Sequence, residues 1–148
     1  MKVNYTDLLL EAGRLFHQAK SNKELFEIIV EYTNSALQPA LSCFYLNQKS
    51  DNSLKLTIKK GFAAVPKILM EQSELVSFLQ ESEEIICLNT RKPSPFADLL
   101  LSDTMESGLA VPLILGEKGN GVLIVNSKRP FFFKSREILF LENIRRLK

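Results

Sequence analysis

The chain has 148 residues, of which 45% are hydrophobic, so it can bury the core of one domain without disulfides or a metal. The charged fraction is 24% and the formal net charge is +2, which argues against nucleic acid or another strongly charged partner. No run approaches the ~18 apolar residues that cross a bilayer, and the N-terminus lacks the apolar region of a signal peptide, so we expect a cytoplasmic protein without a membrane partner.

Two amphipathic helices are predicted in the first quarter of the chain. The first carries an apolar stripe from Leu8 to Ala19, with Thr6 as its N-cap. The second begins at the capping-box sequence Ser21 to Glu24 and ends at Gln38-Pro39, because proline cannot continue the hydrogen-bond ladder. Its apolar residues run almost around the helix, so we expect burial on more than one side.

The pattern then changes to the alternation that is typical of strands. Leu41 to Leu46 and Leu54 to Phe62 flank a polar loop and predict a hairpin. Strict alternation would place Leu54, Leu56 and Ile58 on one face of its second strand.

The middle of the chain is less regular. A weak helical stretch follows Pro66, a clearer helix covers about Ser73 to Gln80, and Glu84 to Leu88 predict a third strand. Residues Asn89 to Ser107 contain two prolines and a short helical run through Phe96 to Leu100, and we predict an irregular segment there.

A second hairpin is the strongest in the sequence. Gly108 to Leu115 and Gly121 to Val125 are rich in β-branched and aliphatic residues, and the turn Gly116 to Asn120 joins them. Pro112 has no backbone donor, so it should lie where its strand has no ladder partner on that side. Gly121 would permit a left-handed or bulged conformation as the return strand begins.

A last helix begins near Ser135 and has apolar residues at more than one angle. It packs either on its own sheet and a partner helix, or through one wide core face. Arg145 to Lys148 end without a glycine or asparagine cap, so we expect the helix to continue and the chain to be the N-terminal input module of a longer protein. The order of elements predicts a single α+β domain over residues 1–148, with a mainly antiparallel sheet flanked by helices.

The hairpin from Ser107 to Asn126 resembles that of GAF domains. In that family, alternating apolar residues lead to a Val-Pro-Leu motif, and a glycine turn and a Gly-Val-Leu motif follow. Val-Pro-Leu corresponds here to Val111 to Leu113, and Gly-Val-Leu to Gly121 to Leu123. Phe133 and Glu137 resemble the pattern that opens the family's final helix. The resemblance implies a sheet of five or six strands, with the N- and C-terminal helices on one face and shorter helices and loops on the other.

GAF domains act mostly as sensory or dimerisation modules, and they hold a small ligand between the sheet and the segment that corresponds to Asn89 to Ser107. The resemblance therefore implies a regulatory sensor domain of a signal-transduction protein, which binds a small ligand of unknown identity or transmits a conformational change to a covalently attached output domain. The alternative is a ligand-free interaction module that forms a homodimer through its terminal helices. The candidate ligand-binding residues, chosen by position, are Phe44, Thr90, Lys92, Phe96, Leu99 and Ala110, with Lys92 placed to contact an acidic ligand.

The family's known ligand signatures do not match, so the resemblance implies no particular cofactor. The spaced Asn-Lys-Phe-Asp-Glu signature of cyclic-nucleotide-binding members is missing, although Asn89, Lys92, Phe96 and Asp98 are superficially similar. Bilin-binding members use a cysteine beside a histidine, and the segment has neither. The only histidine, His17, lies in the first helix, so we expect neither haem nor another metal.

No catalytic constellation is found, and we expect the chain not to be an enzyme. Some stand-alone GAF proteins reduce free methionine sulfoxide with pocket cysteines, which makes such an enzyme the least favoured alternative. Cys43 and Cys87 lie in separate predicted strands and do not follow that arrangement, so we expect reduced, buried thiols.

Overall fold

One six-stranded sheet organises the chain. The computed structural model describes residues 4–48, 51, 53–69, 73–114 and 120–146. Within these ranges the α-helices are α1 (Tyr5–Gln18), α2 (Asn22–Leu37), α3 (Glu74–Glu81) and α4 (Ser135–Ile144), with a 3-10 helix at Ala97–Leu99. The strands are β1 (Leu41–Asn47), β2 (Leu54–Lys60), β3 (Ile68–Leu69), β4 (Ile86–Leu88), β5 (Ser107–Ile114) and β6 (Asn120–Ser127).

The strand order is β3-β2-β1-β6-β5-β4, and all neighbouring strands are antiparallel. Helices α1, α2 and α4 pack on one face, which we call the helical face. Helix α3, the 3-10 helix and the irregular residues 89–106 pack on the other. We call residues 89–106 the cover segment and this side the cover face. The predicted α+β class, strand count and division of helices between the two faces are confirmed.

The helix ends follow from local hydrogen bonds. The N-cap of α1 is Asn4 rather than the predicted Thr6, because Asn4 Oδ1 accepts from the Asp7 amide at 3.1 Å. The predicted capping box of α2 is present: Ser21 Oγ accepts from the Glu24 amide at 3.2 Å, and Glu24 Oε2 accepts from the Lys20 amide at 2.8 Å. None of the helices in the described ranges is long and apolar enough to cross a membrane.

A β-bulge divides the first hairpin. Phe44 pairs with Ile58, whereas the next residue of β1, Tyr45, pairs with Leu56, which leaves Thr57 as an extra residue in β2. The prediction that Leu54, Leu56 and Ile58 share one face is therefore wrong. Leu54 and Leu56 contribute to the core of the cover face, and Ile58 packs on the helical face.

The region after Pro66 is also corrected. The expected helical stretch is instead the two-residue edge strand β3, in which Ile68 pairs with Lys55 and Leu69 pairs with Leu54. The helix predicted from Ser73 is present as α3, beginning one residue later.

The second hairpin has the predicted pairing but a different role for its glycine. Pro112 lies beyond the β4 residues that pair with β5, so its missing donor leaves no gap in the ladder, as predicted. Gly121 does not have a positive φ. A Cβ atom there would lie 2.5 Å from Phe44 Cζ, so glycine makes room for a buried ring. The turn glycines Gly116 and Gly119 lie outside the described residues.

Candidate functional site

Buried side chains fill the space between the sheet and the cover segment. Leu99, Leu101 and Met105 of the cover segment point down onto the sheet and are almost fully buried. Cys43 and Tyr45 meet them from β1. The predicted ligand space under the cover segment is thus largely a packed apolar core in this structure.

Asn126 fastens the cover segment to the middle of the sheet. It lies on β6 with no exposed surface. Its Oδ1 accepts from the Leu101 amide at 2.7 Å, and its Nδ2 donates to Leu99 O and to Val125 O, each at 2.9 Å. A Cβ at Gly108 would lie 2.6 Å from that Nδ2, so glycine on the neighbouring strand leaves space for the amide. The geometry satisfies polar groups of the cover segment that burial would otherwise leave unpaired.

Arg91 closes the cover segment on itself. Its Nε donates to Met105 O at 2.8 Å and its Nη2 donates to Ser102 O at 2.5 Å. These bonds join the beginning of the segment to its end. Both acceptors are backbone carbonyls, so the bonds hold the main chain in place and do not depend on the side chains at positions 102 and 105.

The first residue of the cover segment and the residue directly after the segment are hydrogen-bonded to the connection that leads into α4. We call this connection, residues 128–134, the exit segment. The Phe131 amide donates to Asn89 O at 2.7 Å. At the other end, Ser107 Oγ, directly after the cover segment, donates to Arg129 O at 2.6 Å. A movement of the cover segment would therefore act directly on the residues that precede α4.

A cavity of about 890 Å³ lies at the end of the cover segment. It is lined by Ala40, by Phe62 to Ala64 after β2, by Leu101 to Met105 of the cover segment, and by Lys128 of the exit segment. Its size lies within the range of ~300–1,000 Å³ that is usual for small-molecule sites. The lining combines an aromatic ring with the side chains of Asp103 and Lys128, so it can contact both apolar and charged groups.

The six residues predicted to bind a ligand are not brought together. Leu99 and Ala110 are buried on the cover face, and Phe44 is buried on the helical face, where its ring lies 4.3 Å from that of Phe26. Phe96 is half-buried, with its ring 5.2 Å from that of Phe78. Thr90 is half-buried and Lys92 is exposed.

None of these six is among the described residues that line the 890 Å³ cavity. Four of the six predicted residues belong to the cover segment, at Thr90, Lys92, Phe96 and Leu99, whereas the cavity is lined by the later residues Leu101 to Met105. The polarity of Ser102 to Thr104, at the end of an apolar run, is the signal that could have indicated this.

The two cysteines lie on opposite faces of the sheet. Cys43 is fully buried on the cover face, and burial raises the pKa of its thiol to about 12. Cys87 packs against the core of the helical face, its Sγ donates to Asn89 Oδ1 at 3.3 Å, and burial raises its pKa as well. The sheet separates the two thiols, so they cannot form a nucleophile and resolving pair within one chain.

Within the described ranges, no three histidine, cysteine, aspartate or glutamate side chains are grouped in a way that could hold a metal ion. His17 lies in the last turn of α1 and is exposed.

Comparison with solved structures gives full-length matches of two kinds. A free methionine-R-sulfoxide reductase from Neisseria meningitidis, in complex with its substrate, aligns with a TM-score of 0.82 and 15% identity over 97% of this chain and 84% of that one. The GAF domain of a phosphoenolpyruvate-protein phosphotransferase from Acinetobacter aligns with a TM-score of 0.78 and 23% identity over 99% and 91%. A reductase from Staphylococcus aureus aligns with a TM-score of 0.78 and 18% identity over 99% and 94%. No protein-family model and no curated protein sequence matches the chain.

These matches correct the expectation that the chain is not an enzyme. Free methionine-R-sulfoxide reductases from several organisms share its fold at 15–20% identity, so the fold is compatible with an enzyme. Several GAF domains match over nearly the whole chain as well. The chain has the GAF fold.

Proposed function

We propose that this chain is a regulatory sensor domain of a signal-transduction protein. In this proposal a small ligand binds at the cavity beside the cover segment, and the exit segment passes the change to α4 and to a covalently attached output domain. One observation carries the proposal: the same cavity is lined by Leu101 to Met105 of the cover segment and by Lys128 of the exit segment. A ligand there would touch both the responding element and the transmitting one.

The lining indicates the chemistry of the ligand. Lys128 can pair with a carboxylate or phosphate, while Asp103 and the hydroxyls of Ser102 and Thr104 can bind polar hydrogens. Phe62 is fully exposed at 106% and offers its ring to an apolar or planar group. We infer a small, charged metabolite with an apolar portion.

Transmission would use the hydrogen bonds that already join the two segments. A ligand that displaced residues 101–105 would strain the bond from Phe131 to Asn89 at the start of the cover segment and the bond from Ser107, directly after the segment, to Arg129. Helix α4 begins at Ser135, four residues after Phe131. Helix α4 in turn contacts α1 through the rings of Phe140 and Tyr5, 5.2 Å apart.

The terminal helices also support homodimerisation as part of this function. Leu10 on α1 is 70% exposed and Leu139 on α4 is 61% exposed, although both belong to helices whose other faces are buried. Exposed leucines on the two terminal helices are suited to packing against a second copy. If the cavity binds no ligand, the alternative function is that of a ligand-free dimerisation module.

A thermal-shift screen of nucleotides, keto acids and amino acids tests ligand sensing. A ligand at 100 times its Kd adds about 2.7 kcal/mol to the unfolding free energy, which raises the Tm of a domain of this size by roughly 5–10 °C. Lys128→Gln should remove much of that rise, whereas Lys134→Gln, in the same exit segment but outside the cavity lining, should keep it. A screen without any stabilising compound, or a rise that both variants keep in full, would refute the proposed site.

The reductase structures favour a second candidate function, the reduction of free methionine sulfoxide. Cys43 is the thiol that shares the cover face with the segment beside the cavity. The oxygen of the sulfoxide would move to the Cys43 sulfur, giving methionine and a sulfenic acid, which two equivalents of an external thiol would reduce to the thiol, with release of water and a disulfide. Burial and the raised pKa of Cys43 mean that the cover segment would first have to open.

Methionine formation from free methionine-R-sulfoxide in the presence of dithiothreitol tests this second candidate. The reductase hypothesis requires activity that Cys43→Ser abolishes and Cys87→Ser retains. Equal product formation by the wild-type chain and Cys43→Ser would discard it.

A further inference from the structure

A groove of about 640 Å³ runs between α1 and α2 on the outside of the helical layer, away from the sheet. Helix α1 uses Ala12 and Phe16 to pack on the core of the helical face. A second stripe of the same helix, through Leu8, Glu11, Leu15 and Gln18, lines the groove. The proposed ligand cavity lies among other residues, so the groove is a separate surface.

The floor of the groove is apolar and incompletely covered. Leu8 and Leu15 contribute from α1, and Ile28 and Tyr32 from α2. All four side chains are half-buried, so the chain's own packing leaves part of each in contact with water. An added apolar surface would remove that area from water and stabilise the complex.

The shape of the groove fits a third helix. Its lining spans residues 8–19 of the first helical region and residues 24–35 of α2, which corresponds to about 16 Å, or three turns, along each helix axis. A helix packs its side chains into a groove between two others, and such grooves bind helices through apolar residues at three- and four-residue spacing.

The charges on the rim specify the partner. Glu11, Glu24, Glu27 and Glu31 line the groove, and its described lining contains no lysine or arginine. Four carboxylates repel nucleic acids and anionic lipid surfaces and attract a cationic segment.

Nearby cations neutralise this rim only in part. Lys23 Nζ lies 4.0 Å from Glu27 Oε1, and Lys60 pairs with Glu31. The side chains of both pairs are 40% or more exposed. Exposed pairs of this kind are weak and can exchange for a partner's cations. Glu24 serves mainly to cap α2, so Glu27 and Glu31 are the better positions for a test.

We propose that the groove between α1 and α2 docks an amphipathic helix of a partner protein, with leucine-like side chains on the apolar floor and lysine or arginine beside the glutamates. The probe is a synthetic helical peptide of about 14 residues with leucines at three- and four-residue spacing and flanking lysines. Its binding to the full chain is measured by fluorescence anisotropy at about 50 mM and 500 mM salt.

We expect saturable binding that weakens several-fold at the higher salt. Glu27→Lys combined with Glu31→Lys should weaken it by about tenfold or more, since both charge contacts become repulsive. The matched control is Glu74→Lys combined with Glu81→Lys, which makes the same charge change on exposed residues of α3, on the other side of the sheet. The control should stay within about twofold of the wild-type chain.

Three results of the peptide measurement would overturn the proposal. The peptide does not bind; the two double variants lose affinity equally; or a peptide of the same composition, scrambled so that its leucines no longer share a face, binds equally well. Sedimentation of the same samples tests whether a second copy of the chain, rather than a partner helix, occupies the groove. A wild-type dimer that Glu27→Lys with Glu31→Lys converts to a monomer would show that a second copy fills the groove, and would also overturn the proposal.

Discussion

Replacing Asn126 by alanine tests how the cover segment is held. The substitution removes three hydrogen bonds, to the Leu101 amide and to the carbonyls of Leu99 and Val125, at a site with no exposed surface. Water cannot reach the abandoned groups unless the segment opens.

The structure sets the size of the effect. The Leu101 amide and the Leu99 carbonyl would each lose a buried partner, at about 1–3 kcal/mol apiece. Val125 O belongs to the paired strand β6, so the loss of its extra bond matters less. We therefore expect Asn126→Ala to lower the unfolding free energy by about 2–6 kcal/mol, or to open the cover segment locally when that costs less.

Urea unfolding measures the first effect, and hydrogen exchange followed by mass spectrometry measures the second. Asn143→Ala, on the exposed side of α4, is the control and should change stability by no more than about 0.5 kcal/mol. If Asn126→Ala unfolds at the wild-type urea concentration and residues 99–101 keep their exchange protection, the buried amide does not hold the cover segment.

Three further predictions follow from single contacts. Gly121→Ala should cost about 1–3 kcal/mol in urea unfolding, because its Cβ would lie 2.5 Å from Phe44 Cζ, and Phe44→Leu in the same chain should recover part of that loss. The Cys43 thiol has a folded-state pKa of about 12 against an ordinary value of 9.0. Its contribution to the unfolding free energy is therefore full below pH ~9 and is lost as the pH rises towards 12. By pH ~10.5 that loss is about 2 kcal/mol. In urea unfolding, the unfolding free energy of Cys43→Ala should therefore fall less steeply between pH ~9 and ~10.5 than that of the wild-type chain. An equal fall in both proteins would show that Cys43 does not cause it. Leu139→Glu should convert a dimer to a folded monomer in sedimentation, since that side chain is 61% exposed and is not part of the core; an unchanged dimer would exclude α4 from the interface.

Local signals in the sequence were enough to predict most of the elements. The capping box at Ser21 and the apolar run of β5 act through residues close in sequence, and both were identified correctly. The bulge at Thr57 was missed because its cause is pairing with a neighbouring strand, which alternation within β2 does not reveal. The role of Gly121 was missed for the same reason: the ring of Phe44, from the neighbouring strand β1, occupies the space that a side chain at position 121 would need.

The candidate site was harder to predict because its parts are distant in sequence. The end of β2, the cover segment and the exit segment meet at one end of the sheet only through the register of four strands. Phe44 was among the predicted ligand-binding residues, but odd and even residues of β1 face opposite sides of the sheet, and Cys43 and Tyr45 are the ones on the cover face. In the sequence Asn126 is simply the last residue of a hairpin. Its role in holding the cover segment depends on Leu101, which is 25 residues away.

Hydrogen exchange in Arg91→Ala tests whether a movement of the cover segment reaches α4, as we propose. That variant removes the bonds to Met105 O and Ser102 O without changing a residue of the exit segment. We expect faster exchange not only in residues 99–105 but also at the Phe131 amide and in the first turn of α4, while Lys92→Ala, the neighbouring exposed residue, leaves both unchanged. Faster exchange confined to the cover segment, with Phe131 and α4 as protected as in the wild-type chain, would show that the cover segment and α4 move independently.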